Sequence, residues 1–90
     1  MEHQEVFDLI KAECERQEKK WGKQYHPDAV WHLILSEEIG EVAKAILEDK
    51  QDEITTELIQ CAAVIVTWLM DDSSGSLEHH HTESHYTHLV

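Results

Sequence analysis

Cysteine is scarce in this 90-residue chain. Cys14 and Cys61 lie far apart and form no CxxC pair. A disulfide framework usually needs more than two. Both fall inside apolar periodic stretches, where a free thiol packs as a small hydrophobe. Basic residues are scarce too: seven Lys and Arg stand against nineteen Asp and Glu, for a formal net charge of −12. A nucleic-acid groove needs cations to displace counterions from phosphates, so that class of partner is excluded, as is an anionic membrane surface. Long hydrophobic runs are missing. The longest nearly apolar stretch, Ile59 to Met70, is too short to span a bilayer. The opening Met-Glu-His-Gln-Glu has no basic n-region, so no secretory signal is expected. Together these features predict a reduced, cytoplasmic protein. The length allows one small domain with a modest core, which makes a partner subunit an early expectation. Abundant carboxylate, finally, invites divalent cations, which prefer oxygen ligands.

The chain divides into residues 1–72 and a tail at 73–90. Ser73-Ser74-Gly75-Ser76 reads as a flexible break. Leu77-Glu78-His79-His80-His81 is similar to a vector-derived polyhistidine junction, and His85 and His88 follow it. A native metal-binding tail is the competing reading; we set the tail aside for fold and function. Residues 1–72 keep seventeen acidic and seven basic residues, a net charge of −10. The acidity therefore belongs to the domain.

Strand alternation is absent, and three helical stretches remain. Phe7, Ile10, Cys14, Gln17 and Trp21 recur at spacings of three and four, which places them on one helix face. Gly22 is a plausible stop, and Pro27, the one proline, suits the first turn of a second helix. The second stripe is Leu35, Ile39, Val42 and Ile46, fading at Glu48-Asp49-Lys50-Gln51. Asp52 is the expected N-cap of the third helix, with Ile54, Leu58, Cys61, Ile65 and Trp68 as its stripe. That helix has a second apolar face, Ile59, Ala62, Val66 and Leu69. A helix apolar nearly all round is covered on several sides, and two short neighbours hardly suffice. The expectation is an all-α fold whose bundle is completed by other subunits.

Chemistry concentrates in helices two and three. Glu38 and Glu41 are three apart and share a face. Two like charges there cost about 0.2–0.5 kcal/mol in an exposed helix. No cation precedes them by a turn, and Lys44 relieves Glu41 only in part. Each precedes a stripe residue, Ile39 or Val42, so the pair borders the core, where carboxylates are expensive unless neutralised. Glu57 and Gln60 repeat the spacing beside Leu58 and Cys61. If the helices run antiparallel, three carboxylates and one amide oxygen converge in a hard, oxygen-only set suited to Mg²⁺ or Mn²⁺. The plainer reading is solvated surface, since the chain holds many Glu. The Glu13, Glu15 and Glu18 set in the first helix shows no such pairing with a second helix.

The run Leu35-Ser36-Glu37-Glu38-Ile39-Gly40-Glu41-Val42-Ala43-Lys44-Ala45, then Thr56-Glu57-Leu58-Ile59-Gln60-Cys61-Ala62-Ala63, resembles the MazG-like all-α nucleoside triphosphate pyrophosphohydrolases, whose pattern is EExxE followed by ExxD. The resemblance spans roughly residues 5–70, including Lys20-Trp21-Gly22 and His26-Pro27. It implies that Glu38, Glu41 and Glu57 hold Mg²⁺ on the phosphates of a nucleoside triphosphate, which water cleaves to monophosphate and pyrophosphate. It makes Glu37 a candidate for a further metal or for orienting the water; a solvated Glu37 is the alternative. Gln60 stands where the family has its last Asp, so the site carries one charge fewer and its amide oxygen is a weaker ligand. Deoxynucleotides or damaged nucleotides are the implied substrates, and a dimer or dimer of dimers the implied assembly.

Candidates for holding the nucleotide follow. Trp31, seven residues before Glu38, shares the ligand face. Its indole is suited to stacking on a base; core packing is the alternative. Trp21 closes the first stripe and reads mainly as core, while Trp68 reads as interface core. Lys19, Lys20 and Lys23 form the one basic cluster and, with Gln24, Tyr25 and His26, a polar loop fit to touch phosphate or base. Exposed Lys as plain surface, and His26 as a turn-shaping residue, are the ordinary readings. The rival to an enzyme is an acidic helical module that oligomerises or binds a basic partner, or a metal-binding regulator without catalysis.

Overall fold

The computed structural model describes residues 1–73, and the tail from residue 74 onward lies outside the described residues. Those residues form three helices and no strand: α1 (His3–Trp21), α2 (Asp28–Leu47) and α3 (Gln51–Met70). The all-α expectation holds among them.

Helix ends follow local chemistry. At the start of α1 the Glu2 N–H donates to Glu5 Oε1 at 3.2 Å, satisfying a donor that the helix leaves orphaned. Gly22 ends α1 at φ +79°, and its N–H donates to the Glu18 carbonyl at 2.7 Å. A side chain is strained in that left-handed region, so glycine suits it. Pro27 is the cap of α2 and sits just before its first residue. Asp49, at φ +56°, makes the turn into α3, a conformation Asp tolerates better than most residues. The turn closes with the Lys50 N–H donating to the Ala45 carbonyl at 2.9 Å. Lys50, not the expected Asp52, occupies the cap of α3. Asp52 lies within the first turn, where its charge still favours the helix dipole.

Helix α3 packs against both α1 and α2, whereas α1 and α2 do not pack on each other. The start of α2 meets the end of α3, as the Trp31–Asp71 and Asp28–Trp68 hydrogen bonds show, so these two helices are antiparallel. The buried apolar side chains are Trp31, Ala45, Cys61, Ala63 and Val64. Helix α1 contributes no fully buried residue. The expectation that the Ile59–Met70 run is too short to span a bilayer is corrected at the level of the helix: over Gln51–Met70, with a mean hydropathy of 1.3, α3 is long and apolar enough to cross a membrane.

The stripes hold in part: Ile10, Cys14, Gln17, Leu35, Val42, Ile54, Cys61 and Trp68 are buried or half-buried. Ile39, Ile46, Leu58 and Ile65 are exposed in this chain, while Ala45, Ala63 and Val64 are buried. Phe7 and Trp21 of the α1 stripe are exposed too. The inward face of α3 includes the half-buried Ile54, Glu57 and Gln60 together with Cys61 and Val64. Cys61, Ala63 and Val64 are the buried residues of α3, where it packs against α1 and α2. The larger side chains point elsewhere, leaving an apolar row of Leu58, Ile65 and Leu69 on α3.

Candidate functional site

Two carboxylate environments lie along the inner face of α3. The first gathers Glu38 from α2 and Glu57 and Gln60 from α3. The Gln60 amide stands between the two carboxylates. Oriented to satisfy its hydrogen bonds, its nitrogen donates to Glu57 Oε2 at 3.0 Å and to Glu38 Oε2 at 3.1 Å. Gln60 therefore stands as a donor to its neighbours, with its nitrogen rather than its oxygen turned toward them.

The electrostatics identify further members. The Glu38 carboxyl is pushed above its ordinary range by burial first, then by Glu57, Glu41, Glu13 and Glu37. Glu57 is raised by burial, then by Glu41, Glu53 and Glu13. The Cys61 thiol beneath them is raised by burial and by the same two carboxylates. Burial is the larger cause in each case, and like charges held together disfavour ionisation further. Among the described residues the ion pairs are Arg16–Glu13, Lys50–Glu48 and Lys50–Glu53; none reaches Glu38, Glu41 or Glu57.

Glu13 is the member that spacing set aside. Its side chain is largely covered, and Arg16 donates to it from Nε at 2.8 Å and from Nη2 at 2.7 Å. The hydrogen bond from Arg16 holds this carboxyl below its ordinary range, against the cost of burial, with help from Gln17. The signal was local: Glu13 precedes Cys14 of its stripe just as Glu38 precedes Ile39. What spacing does not show is that α1 and α2 lie on the same carboxylate-bearing face of α3.

The donor set, all hard oxygen, matches Mg²⁺ or Mn²⁺ in chemistry and charge. As placed, no three His, Cys, Asp or Glu side chains among the described residues converge to a metal-ion distance. The amide between Glu38 and Glu57 separates two of the candidate ligands. The residue types and charge thus suit a divalent ion, while the side chains as placed do not form a site for one.

A cavity of about 160 Å³ has Cys14, Gln17, Ile34, Val64 and Thr67 in its wall, and none of the cluster residues lines it. Each helix steps from cluster to cavity in one turn: Glu13 to Gln17, Glu38 to Ile34, Gln60 to Val64. Four residues span about 6 Å along a helix. The α1–α2 loop closes the far side with Lys23, Gln24 and Tyr25.

The second carboxylate environment lies at that far side. Asp71, 8% exposed, accepts four hydrogen bonds. Oδ2 takes the His26 N–H at 2.9 Å and the Trp31 Nε1–H at 2.8 Å. Oδ1 takes the Ser73 N–H at 2.8 Å and the Ser73 hydroxyl at 2.6 Å. Burial acts to raise this carboxyl, but donors from Ser73, His26 and Trp31 override it and hold it far below its ordinary range. Nothing in local spacing marks Asp71, which follows the last residue of α3.

The remaining candidates scatter. Trp31 lines the cavity but is only 2% exposed, with its indole N–H committed to Asp71; it packs as core with one edge toward the cavity. The His26 ring meets it edge-on at 4.9 Å, and His26 Nε2 pairs with Gln24 Oε1 at 2.8 Å. Trp21, read mainly as core, is 64% exposed, with Lys20 Nζ 5.0 Å from its ring centre. Trp68 donates from Nε1 to Asp28 Oδ1 at 2.8 Å and is half-buried within the chain. Glu37 and Glu41 are exposed. No protein-family model matches the chain, and no curated protein or solved structure matches it.

Proposed function

We propose that the chain is a MazG-like, Mg²⁺-dependent hydrolase that cleaves nucleoside triphosphates, deoxynucleotides among them, to monophosphate and pyrophosphate. One observation carries the reading. Glu38, Glu41 and Glu57 crowd together on two helices with no ion pair to a cation among the described residues, and a cavity is lined by residues one helical turn away from Glu38. A stable acidic surface needs neither feature, since exposed carboxylates can spread apart.

In this reading Glu38, Glu41 and Glu57 hold the metal. Gln60 gives up its two hydrogen bonds, and its oxygen is then free to serve as a fourth ligand. Bound there, Mg²⁺ (or Mn²⁺) supplies electrostatic stabilisation of the developing phosphoryl charge and acidifies water. Glu37, exposed and one position round the helix, orients the attacking water. The nucleoside occupies the cavity, against Trp31 and below the loop bearing Lys23 and His26. Lys20 and Trp21, at the rim, meet the outward part of the ligand. An acidic protein thereby binds a polyanion through a shared cation.

The same reading makes the enzyme a cytoplasmic homo-oligomer, a dimer or a dimer of dimers. Leu58, Ile65 and Leu69 fall on one face of α3 at i, i+7 and i+11, and Leu69 is 81% exposed. Apolar rows of this kind mark association surfaces.

The test is a panel of common and modified nucleoside triphosphates incubated with Mg²⁺, reading pyrophosphate and monophosphate. Release of both from at least one nucleotide is expected. Silence across the panel overturns the enzyme. Retained Mg²⁺ binding then identifies a metal-binding regulator, and its loss an acidic interaction module.

A further inference from the structure

We infer that Asp71 is a positioning residue for nucleotide binding: it holds the cavity wall formed by Trp31 and the α1–α2 loop in the shape that receives the nucleoside. The inference rests on the hydrolase reading above.

Three segments meet at this carboxylate. The His26 amide belongs to the loop leaving α1, the Trp31 indole to the first turn of α2, and Ser73 to the chain leaving α3. Apart from Pro27, the loop between Gly22 and α2 has no helical hydrogen bonding of its own to fix it. Its tie to the bundle at His26 is the bond to Asp71 Oδ2. Asp71, Trp31, Gln24 and Tyr25 all line the cavity. Among the hydrogen bonds of that wall, Asp71 is the side chain that joins the loop, α2 and the end of α3.

The hydrogen-bond pattern requires a carboxylate. Both oxygens accept, and all four partners donate. An ionised carboxylate has acceptor sites for all of them and donates nothing. An asparagine has one oxygen and one NH₂. With its oxygen toward the loop and the indole, its NH₂ can donate to the Ser73 hydroxyl, and only the Ser73 N–H is left without an acceptor. A side chain with no acceptor, alanine, releases the loop, the indole and the helix end together.

The hub stands apart from the reacting centre. Asp71 lies beyond the last turn of α3, while Glu57 and Gln60 lie more than two turns earlier. A loosened wall therefore affects binding of the nucleoside rather than the carboxylates that act on its phosphates.

The experiment compares wild type, Asp71→Ala and Ser73→Ala on a nucleotide that wild type cleaves. Steady-state kinetics are read together with hydrogen exchange at the His26 amide and the Trp31 indole. Asp71→Ala is expected to speed exchange at both and to raise KM by about tenfold, with kcat within about twofold and helix content unchanged by circular dichroism. Ser73→Ala removes one of four donors and leaves Oδ2 untouched, so its KM stays within about twofold of wild type. Faster exchange in Asp71→Ala with an unchanged KM overturns the inference while leaving the hydrolase intact. A fall in kcat at constant KM does the same. If Asp71→Ala fails to fold, wild-type exchange decides: nucleotide must slow exchange at the His26 amide, and unchanged exchange overturns the inference. A wild-type chain that neither cleaves nor binds any nucleotide overturns the hydrolase reading and this inference with it.

Discussion

Along one face of α3 the same chemical group meets opposite fates. Near its middle, Glu38 and Glu57 share the two N–H groups of Gln60 and otherwise face Glu41 and Glu13. Past its C-terminus, Asp71 receives four donors. Both places take a carboxylate partly out of water. The first is starved of compensation and its carboxyls are pushed up; the second is saturated and its carboxyl is pulled far down. Burial alone does not separate them, because it acts in the same direction at Glu38 and at Asp71. Donor count does. A satisfied carboxylate has finished its work in the folded chain. An unsatisfied cluster retains capacity for a cation, and for that reason the cluster, not the hub, is the candidate reacting centre.

The contrast breaks most visibly at the ligands. Replacing Glu57 or Glu38 with Gln is expected to lower Mg²⁺-dependent pyrophosphate release by more than about 100-fold, beyond the usual loss for a residue that only supports a metal ligand. Helix content by circular dichroism stays at the wild-type level, since each change also relieves repulsion. Wild-type turnover in either variant removes the cluster from the chemistry.

A smaller effect sharpens the role of Gln60. Gln60→Asp deletes the donor shared by Glu38 and Glu57 and adds a fourth negative charge. Without metal the variant should lose on the order of 1 kcal/mol, seen as a fall in Tm of roughly 4–8 °C for a domain of this size. Mg²⁺ should then raise its Tm more than it raises that of wild type. Equal Tm values with and without Mg²⁺ in both proteins would mean that the cluster holds no cation.

The smallest effect is in pH. Glu38 and Glu57 have folded values raised above the ordinary 4.5. Each therefore binds its proton more tightly folded than unfolded. Their contribution to stability is full below 4.5 and is lost as pH rises through the raised values. Asp71 runs the other way. Its contribution is present above its ordinary 3.8 and is lost as pH falls toward its far lower folded value. Metal-free protein should thus gain Tm from neutrality into the mildly acidic range, then lose it at stronger acidity. In Glu38→Gln the first limb flattens and the second stays. A Tm that falls steadily from neutrality downward contradicts the raised values.

Much of this was legible in residue spacing. Periods of three and four mark the three helices, and Gly22 and Pro27 mark the break between the first two. Glu38, Glu41, Glu57 and Gln60 stand out because each borders an apolar stripe. Helical spacing is tolerant, however: a rotation of one position, about 100°, leaves an apolar pattern nearly as good. So Ile39 and Ile65 read as core and lie outside, while Ala63 and Val64 lie within. Glu13 carried the same local mark as Glu38, yet its membership depends on α1 lying across α3.

The amino-acid sequence by itself determined the helices, the acidity and the spacing of the carboxylates, because these follow from composition and from neighbours within one or two turns of the backbone. Only tertiary structure decided that Gln60 bridges Glu38 and Glu57, that Glu13 joins them, and that Asp71 gathers His26, Trp31 and Ser73. The Gln60–Glu38, Cys14–Ala63 and Asp71–Trp31 contacts join positions twenty or more residues apart. Whether a buried carboxylate is neutralised or left wanting depends on which donors packing delivers to it, and local spacing carries no information about that.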